Sequence, residues 1–448
     1  MDTKQAFEDM PVAKAVLVNA VPAVLSMLVT LVYNVADTFF IGQTGDEMQV
    51  AAVSLATPVF LLFMAIGTLY GMGGTSVISR AFGEGKEAFA RTVGSFCFWM
   101  SVLTGVLCIL VFLSGIDHIL RWIGASGNTE GYARSYLSYV AWSAPFVIIS
   151  TAFSNIVRAE GKSTEAMNGV LIGTLLNIVL DPVFILWFGY GIAGAAWATV
   201  IGYAVATAYY VILLTGKRSR LTISTACFNL RKETTGPVLA IGIPASLNCI
   251  MMSVSTIILN VCLVSYGDRV VATMGVASKV IMMVVLVQLG LGQGVQPLLG
   301  YNYGARRWNR FKAVMRLSCL VGLGMGVVLT LLCGMFSEGL VSCFIDSEGI
   351  REYGTPFVRT LLLSGPMMGI LFIYINALQA VGAAGYSFLL SVSRQGIIFI
   401  PCLLLFDRLF RLDGAIAAQP VADILSLILA VCLYWRTEKR MVKEIPFV

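Results

Sequence analysis

Residues 14–42 read KAVLVNAVPAVLSMLVTLVYNVADTFFIG, with Lys14 at the head and Asp37 near the tail as the only charges. A helix needs roughly 20 apolar residues to cross about 30 Å of hydrocarbon, and this run has more than enough. Helix is the expected state because lipid offers no partner to an exposed backbone N–H or C=O. Eleven similar runs follow, at about 50–79, 92–115, 132–157, 165–189, 191–215, 236–266, 270–301, 311–336, 353–380, 384–406 and 412–435. Together they fill more than half of the 448 residues and leave short loops, with no room for a separate soluble domain. Composition agrees. The chain is 58% hydrophobic and 12% charged, with mean hydropathy +0.86, whereas a soluble domain carries about 25% charge.

Lys and Arg set the orientation. With the first run entering from the cytoplasm, 21 of the 30 basic residues fall in cytoplasmic segments, among them Arg80, Lys86, Arg158, Lys217, Arg220, Arg306, Arg310 and Arg436. Seven fall in outer loops, and Lys279 and Arg394 lie inside spans. Both termini are expected in the cytoplasm of a multi-pass cell-membrane protein. The net charge of +6 follows from this topology, and nucleic acid is not an expected partner.

The two halves resemble each other. At a shift of 222 residues Pro22 meets Pro244 and Gly45-Asp46 meets Gly267-Asp268. At 221, Gly83 meets Gly304, Pro145 meets Pro366 and Gly161 meets Gly382; at 220, Gly194-Ala195 meets Gly414-Ala415. Six spans per copy make the second copy enter from the same side as the first, so the repeats are parallel and related by an axis along the membrane normal. The expected fold is an all-α integral membrane protein of 12 transmembrane helices, arranged as two parallel six-helix bundles in a 6+6 pseudo-two-fold repeat. The expected divisions are an N-terminal lobe over 1–216, a basic linker over 217–235 and a C-terminal lobe over 236–448. Two bundles facing across a cleft suit a transporter, whose lobes rock to expose a midplane cavity to alternate sides. An enzyme would need a cluster of His, Asp or Cys at one membrane face, and the sequence offers none.

Charged groups inside spans are costly and mark function or pairing. Tyr33 and Asp37 are four residues apart, as are Asn177 and Asp181, so each pair shares a helix face. A carboxylate with a phenol or amide one turn away can take a proton or a cation, and burial favours its neutral form. Pro182 removes a backbone donor beside Asp181. The plainer reading places each Asp at a helix end, one to two turns from the outer boundary. Lys279 and Arg394 are either snorkelling side chains or counter-ions within the second bundle, and Asp423 is expected to pair structurally with one of them. Asn34, Met282, Met283 and Gln288 are candidates for the substrate cavity, the methionines because a flexible thioether suits a forgiving apolar wall.

Other features point to packing. Gly67, Gly71, Gly73, Gly74, Gly290, Gly292 and Gly294 allow close helix approach in lipid. Without a βαβ context their Gly-x-Gly spacings are not a nucleotide loop. The ten cysteines form no CxxC pair and most lie in apolar runs, as buried small hydrophobes do. His118 is read as a loop residue, and the opening residues lack the basic n-region of a signal peptide. No cofactor is expected.

An ordered set of short stretches resembles the multidrug and toxic compound extrusion (MATE) transporters, most of all their DinF/MepA-like branch. The stretches include Tyr33-Asn34-Val35-Ala36-Asp37-Thr38, Ser79-Arg80-Ala81-Phe82-Gly83, Arg158-Ala159-Glu160-Gly161, Leu176-Asn177-Ile178-Val179-Leu180-Asp181-Pro182, Gly242-Ile243-Pro244 and Pro297-Leu298-Leu299-Gly300-Tyr301. The resemblance runs from about residue 14 to 436. It implies a twelve-helix antiporter that expels cationic or amphipathic organic molecules in exchange for H⁺ or Na⁺; separately, a monomer is expected. It also implies a first-lobe cation site at Asp37, Asn177, Asp181 and Thr199, with Tyr33 nearby; Thr199 enters by the resemblance alone. Some branches carry acidic residues in spans 7 and 10, and this chain has none over 246–265 or 358–380. The rival readings are a lipid-linked precursor flippase of the same wider superfamily and a membrane-embedded transferase.

Overall fold

The computed structural model describes residues 5–43, 47–122, 129–216, 219–344 and 348–443. Gly45-Asp46, one landmark of the repeat, and the first two residues of the linker lie outside them. The first half comprises α1 (Val12–Gly42), α2 (Glu47–Gly83), α3 (Glu87–Ser114), α4 (Glu130–Ala159), α5 (Ser163–Pro182) and α6 (Gly191–Thr215). Linker residues 219–231 contain one 3-10 turn, Thr225–Cys227, and the remainder of the 217–235 segment is already helical.

The second half comprises α7 (Lys232–Val264), α8 (Asp268–Gly304) and α9 (Trp308–Met335). It continues with α10, in which Glu348–Leu361 and Gly365–Ala380 meet at the 3-10 turn Leu362–Ser364. Then come α11 (Ala384–Val392), a π turn (Ser393–Ile397) and α12 (Phe399–Lys443). Short helices Ile116–Trp122 and Ser337–Phe344 cap the third and ninth spans; His118 sits exposed in the first of them instead of in a loop.

Residues 384–440 form one apolar helical stretch of 57 residues. At about 1.5 Å per residue a straight rod of that length would far exceed the ~30 Å hydrocarbon core. The chain instead doubles back at Arg411, whose φ of 54° and ψ of −134° are non-helical, and Gly414 packs against Phe406 and Phe410 of the incoming leg. The stretch is therefore two spans, which makes twelve.

The backbone repeats as the sequence does. Among the described residues, six of the eight with positive φ fall in pairs at shifts of 220 or 221: Gly85 and Arg306 (φ 74° and 55°), Gly161 and Gly382 (84° and 80°), Gly191 and Arg411 (55° and 54°). Glycine adopts such angles freely, whereas a side chain at φ > 0 meets steric resistance. The second copy has the same left-handed φ with arginine in place of glycine at two of the three sites.

The face at which α2, α4, α6, α8, α10 and α12 end holds the linker and most of the basic residues; we call it the basic face. Contacts between the two halves cluster there. A methyl group added to Gly83 would overlap the Tyr301 carbonyl oxygen, and one on Gly304 the Arg80 carbonyl oxygen. Gly73 abuts Val238, Gly242 abuts Leu69, and Gly290 and Gly294 lie on Val24 and Ala20 of α1. The Ser76 hydroxyl donates to the Gln379 carbonyl, and Arg158 reaches Asn155 at 3.1 Å and Gln293 at 3.3 Å. Phe7 is fully buried beside Tyr301, while Arg310 donates to the Phe7 and Met10 carbonyls at 2.9 and 2.7 Å. Towards the other face, Gly42, Gly267 and Gly275 have no neighbour within 4 Å of an added methyl. The halves are thus closed at the basic face and diverge into a cleft towards the opposite one.

Candidate functional site

Three helices of the first half and one further tyrosine build the site. In α5 and α6, Gly173 and Gly202 bring the two backbones together: an added methyl on either would lie 2.7 Å from the other's carbonyl oxygen. This approach sets the face bearing Asn177 and Asp181 against the face bearing Thr199 and Tyr203. Asn177, Asp181 and Thr199 are all buried, Asp181 completely. The Thr199 hydroxyl donates to the Ala195 carbonyl at 3.0 Å and accepts from the Asn177 amide at 3.3 Å. The Thr199 hydroxyl and one hydrogen of the Asn177 amide are thereby used, and the Asn177 Oδ1 and both Asp181 carboxylate oxygens are buried with no hydrogen-bond partner among the described residues.

Three orphaned, buried oxygens on one face of α5 decide the chemistry of the site. A buried carboxylate left charged and unpaired is very costly, so Asp181 requires a proton or a cation. Unpartnered acceptors suit either: a proton converts one oxygen into a donor, and Na⁺ is a hard cation served by carboxylate, amide and hydroxyl oxygens. The residues present fit such an ion. Immediately after Asp181 the helix passes through Pro182 into a π turn, Val183–Trp187, a widening often found at functional sites.

Helix α1 supplies Tyr33 and Asp37. The Tyr33 hydroxyl meets Thr199 and lies in the field of Asp37, Tyr136 and Tyr203. Asp37 and Asp181 are close enough for the charge of one to act on the other. Tyr136 on α4 lies within electrostatic range of both aspartates, and Tyr203 on α6 within range of Asp37. The structure therefore brings together all five site residues singled out from the sequence: Tyr33, Asp37, Asn177, Asp181 and Thr199. Tyr136 and Tyr203 were missed. Tyr203 follows Thr199 by four residues, the same spacing as the other two pairs, and that signal was available; Tyr136 carried none.

The cavity candidates divide. Asn34 and Met282 are exposed, and Met283 is half-buried on the face of α8 that carries Gly290 and Gly294. Gln288 does not line a cavity. It is fully buried between α8 and α10 and donates to the Gly365 carbonyl at 2.7 Å. Its amide nitrogen satisfies the carbonyl next to the 3-10 turn of α10, while its Oε1 has no hydrogen-bond partner among the described residues.

In the second half, Asp423 is buried but fully partnered. Arg394 and Gln419 donate to one carboxylate oxygen at 3.0 and 3.1 Å, and Ser364 to the other at 3.1 Å. Arg394 also lies 5.0 Å over the Phe372 ring. The structural pairing expected of Asp423 is what its geometry shows, and Arg394 is a counter-ion, not a snorkelling side chain. At the shift of 220 that matches Gly194 with Gly414, Thr199 corresponds to Gln419 and Tyr203 to Asp423. The second half thus holds, where the first has open acceptors, a cation of its own.

Twelve spans, two lobes closed at one face and an acidic site with unpartnered buried oxygens beside the cleft define a polytopic membrane transporter, not an enzyme. The MatE family model matches the chain twice, over residues 22–183 and 244–404, and the chain belongs to that family. The multidrug export protein MepA of Staphylococcus aureus is 31% identical over 438 residues, spanning 97% of this chain and 96% of its own. Its namesake in Staphylococcus saprophyticus is 30% identical over 439 residues with the same coverage. Among solved structures, MATE in complex with MaL6 superposes with a TM-score of 0.94 at 24% identity, covering 99% of both chains. The outward-facing conformation of a multidrug resistance MATE family transporter gives 0.91 at 24% identity, covering 99% and 97%.

Proposed function

We propose that this protein exports cationic or amphipathic organic molecules across the cell membrane in exchange for H⁺ or Na⁺, by alternating access, as a monomer. The basic face is then cytoplasmic and the cleft opens outward. The single observation that carries the coupling step is the trio of buried, partnerless oxygens on Asn177 and Asp181. With the cleft open outward, an external cation or proton neutralises Asp181 and Asp37. Neutralisation removes negative charge from the wall of the cleft, weakens its hold on a cationic drug and releases the drug outside. A ligand shifts such an equilibrium only by its differential affinity for the two states. The acidic pair meets that condition because its charge differs between loaded and unloaded forms.

In proteoliposomes, a proton or sodium gradient should drive ethidium efflux by the wild-type protein, and Asp181→Asn and Asp37→Asn should each abolish the gradient-driven part. Undiminished gradient-driven efflux by both variants would refute the assignment. The relatives, named as multidrug export proteins, favour this reading over the lipid-linked precursor flippase and the membrane-embedded transferase.

A further inference from the structure

Beyond the two charges that open each helix, Lys279 is the only charged residue in α7 and α8. It is exposed, and no acidic side chain among the described residues forms an ion pair with it. Its direction follows from helical spacing. Residues 279, 283, 286, 290 and 294 form one stripe along α8, and Gly290 and Gly294 of that stripe lie against α1. The buried face of α8 is a different one, carrying Thr273, Val280, Val284 and Leu291. Lys279 therefore looks across the cleft at the first lobe.

Its depth matches that of the acidic pair. From the Gly290–Val24 contact, Lys279 is 11 residues up α8 and Asp37 is 13 residues up α1, or about 16 and 20 Å at ~1.5 Å per residue. One wall of the cleft thus presents carboxylates and the other an ammonium at a similar level. Met283 stands one turn below Lys279 on the same stripe, so the charge is flanked by adaptable apolar surface.

We propose that Lys279 is a specificity residue that binds an anionic group, so that the exporter takes amphipathic zwitterions, with the cationic end of the substrate on the acidic wall and its carboxylate on Lys279. This rests on the export reading above and narrows its substrate class. A substrate of that kind fills a cleft of opposed charges better than a simple cation, which leaves the ammonium without a counter-charge.

The test uses two dyes that differ in one group, rhodamine 110 with its free carboxylate and the methyl ester of the same molecule. Both are loaded into proteoliposomes and their export is read as a ratio within one preparation, which makes the amount of folded protein immaterial. Lys279→Met should lower the acid-to-ester export ratio about tenfold, the size of a lost hydrogen bond between charged groups, and Lys279→Arg should keep it within about twofold of wild type. A ratio unchanged in Lys279→Met overturns the assignment. If the wild-type protein exports the ester and not the acid, the zwitterion class falls while export stands. If it exports neither dye, the export reading itself falls and this inference with it.

Discussion

Asp181 and Asp423 are both buried aspartates, and their surroundings assign them opposite tasks. Asp423 receives three hydrogen bonds, one of them from a guanidinium, so it has no vacancy for a mobile ion. Asp181 receives none. Removing one partner of a buried pair strands the other charge, at a cost of about 3–5 kcal/mol, whereas replacing both by apolar groups is often neutral. Arg394→Leu should therefore lower the thermal midpoint of the purified protein strongly, and the double variant Arg394→Leu, Asp423→Leu should recover most of the loss. A double variant no more stable than the single one would mean that the pair has a role other than mutual neutralisation. At this scale the sequence was readable only where spacing repeated. Residues four apart share a helix face, which exposed the Tyr33–Asp37 and Asn177–Asp181 pairs. Spacing does not say which faces meet, so Tyr136 was overlooked and Gln288 was assigned to the cavity although it points into α10.

Among the elements, α12 has the least ordinary backbone. Arg411 occupies φ 54°, ψ −134°, a region open in practice only to glycine and costing roughly 1–3 kcal/mol for other residues. Its counterpart in the first copy is Gly191. Arg411→Gly should raise stability by about 1 kcal/mol, after allowance for the greater freedom of glycine in the unfolded chain. A rise of a few degrees in the thermal midpoint would register it, and a fall would show that the Arg411 side chain outweighs its strain. The twelve spans were legible because lipid demands long apolar helices whatever their partners. Interruptions within spans were less so: the 3-10 turn of α10 and the π turns after Pro182 and Val392 answer to packing against neighbours that no local pattern announces.

For the whole molecule, closure at the basic face is the property on which any alternation depends. A side chain at Gly83 would collide with the backbone at Tyr301, and one at Gly304 with the backbone at Arg80. Gly83→Val should thus prise that face apart. Spin labels at positions 88 and 309, one on each half of the basic face, should report a longer distance distribution than in the wild type, and an unchanged distribution would remove Gly83 from the gate. These two glycine contacts have a further property. Residues 80 and 83 lie 221 positions before 301 and 304, so each contact is the image of the other under the repeat. A surface that pairs with its own copy in this reciprocal way is an isologous interface, the kind that joins two identical subunits around a two-fold axis. The gate therefore has the reciprocal geometry of a dimer interface drawn within one chain, so a bulky residue at either glycine strains the same pair of helices from opposite sides.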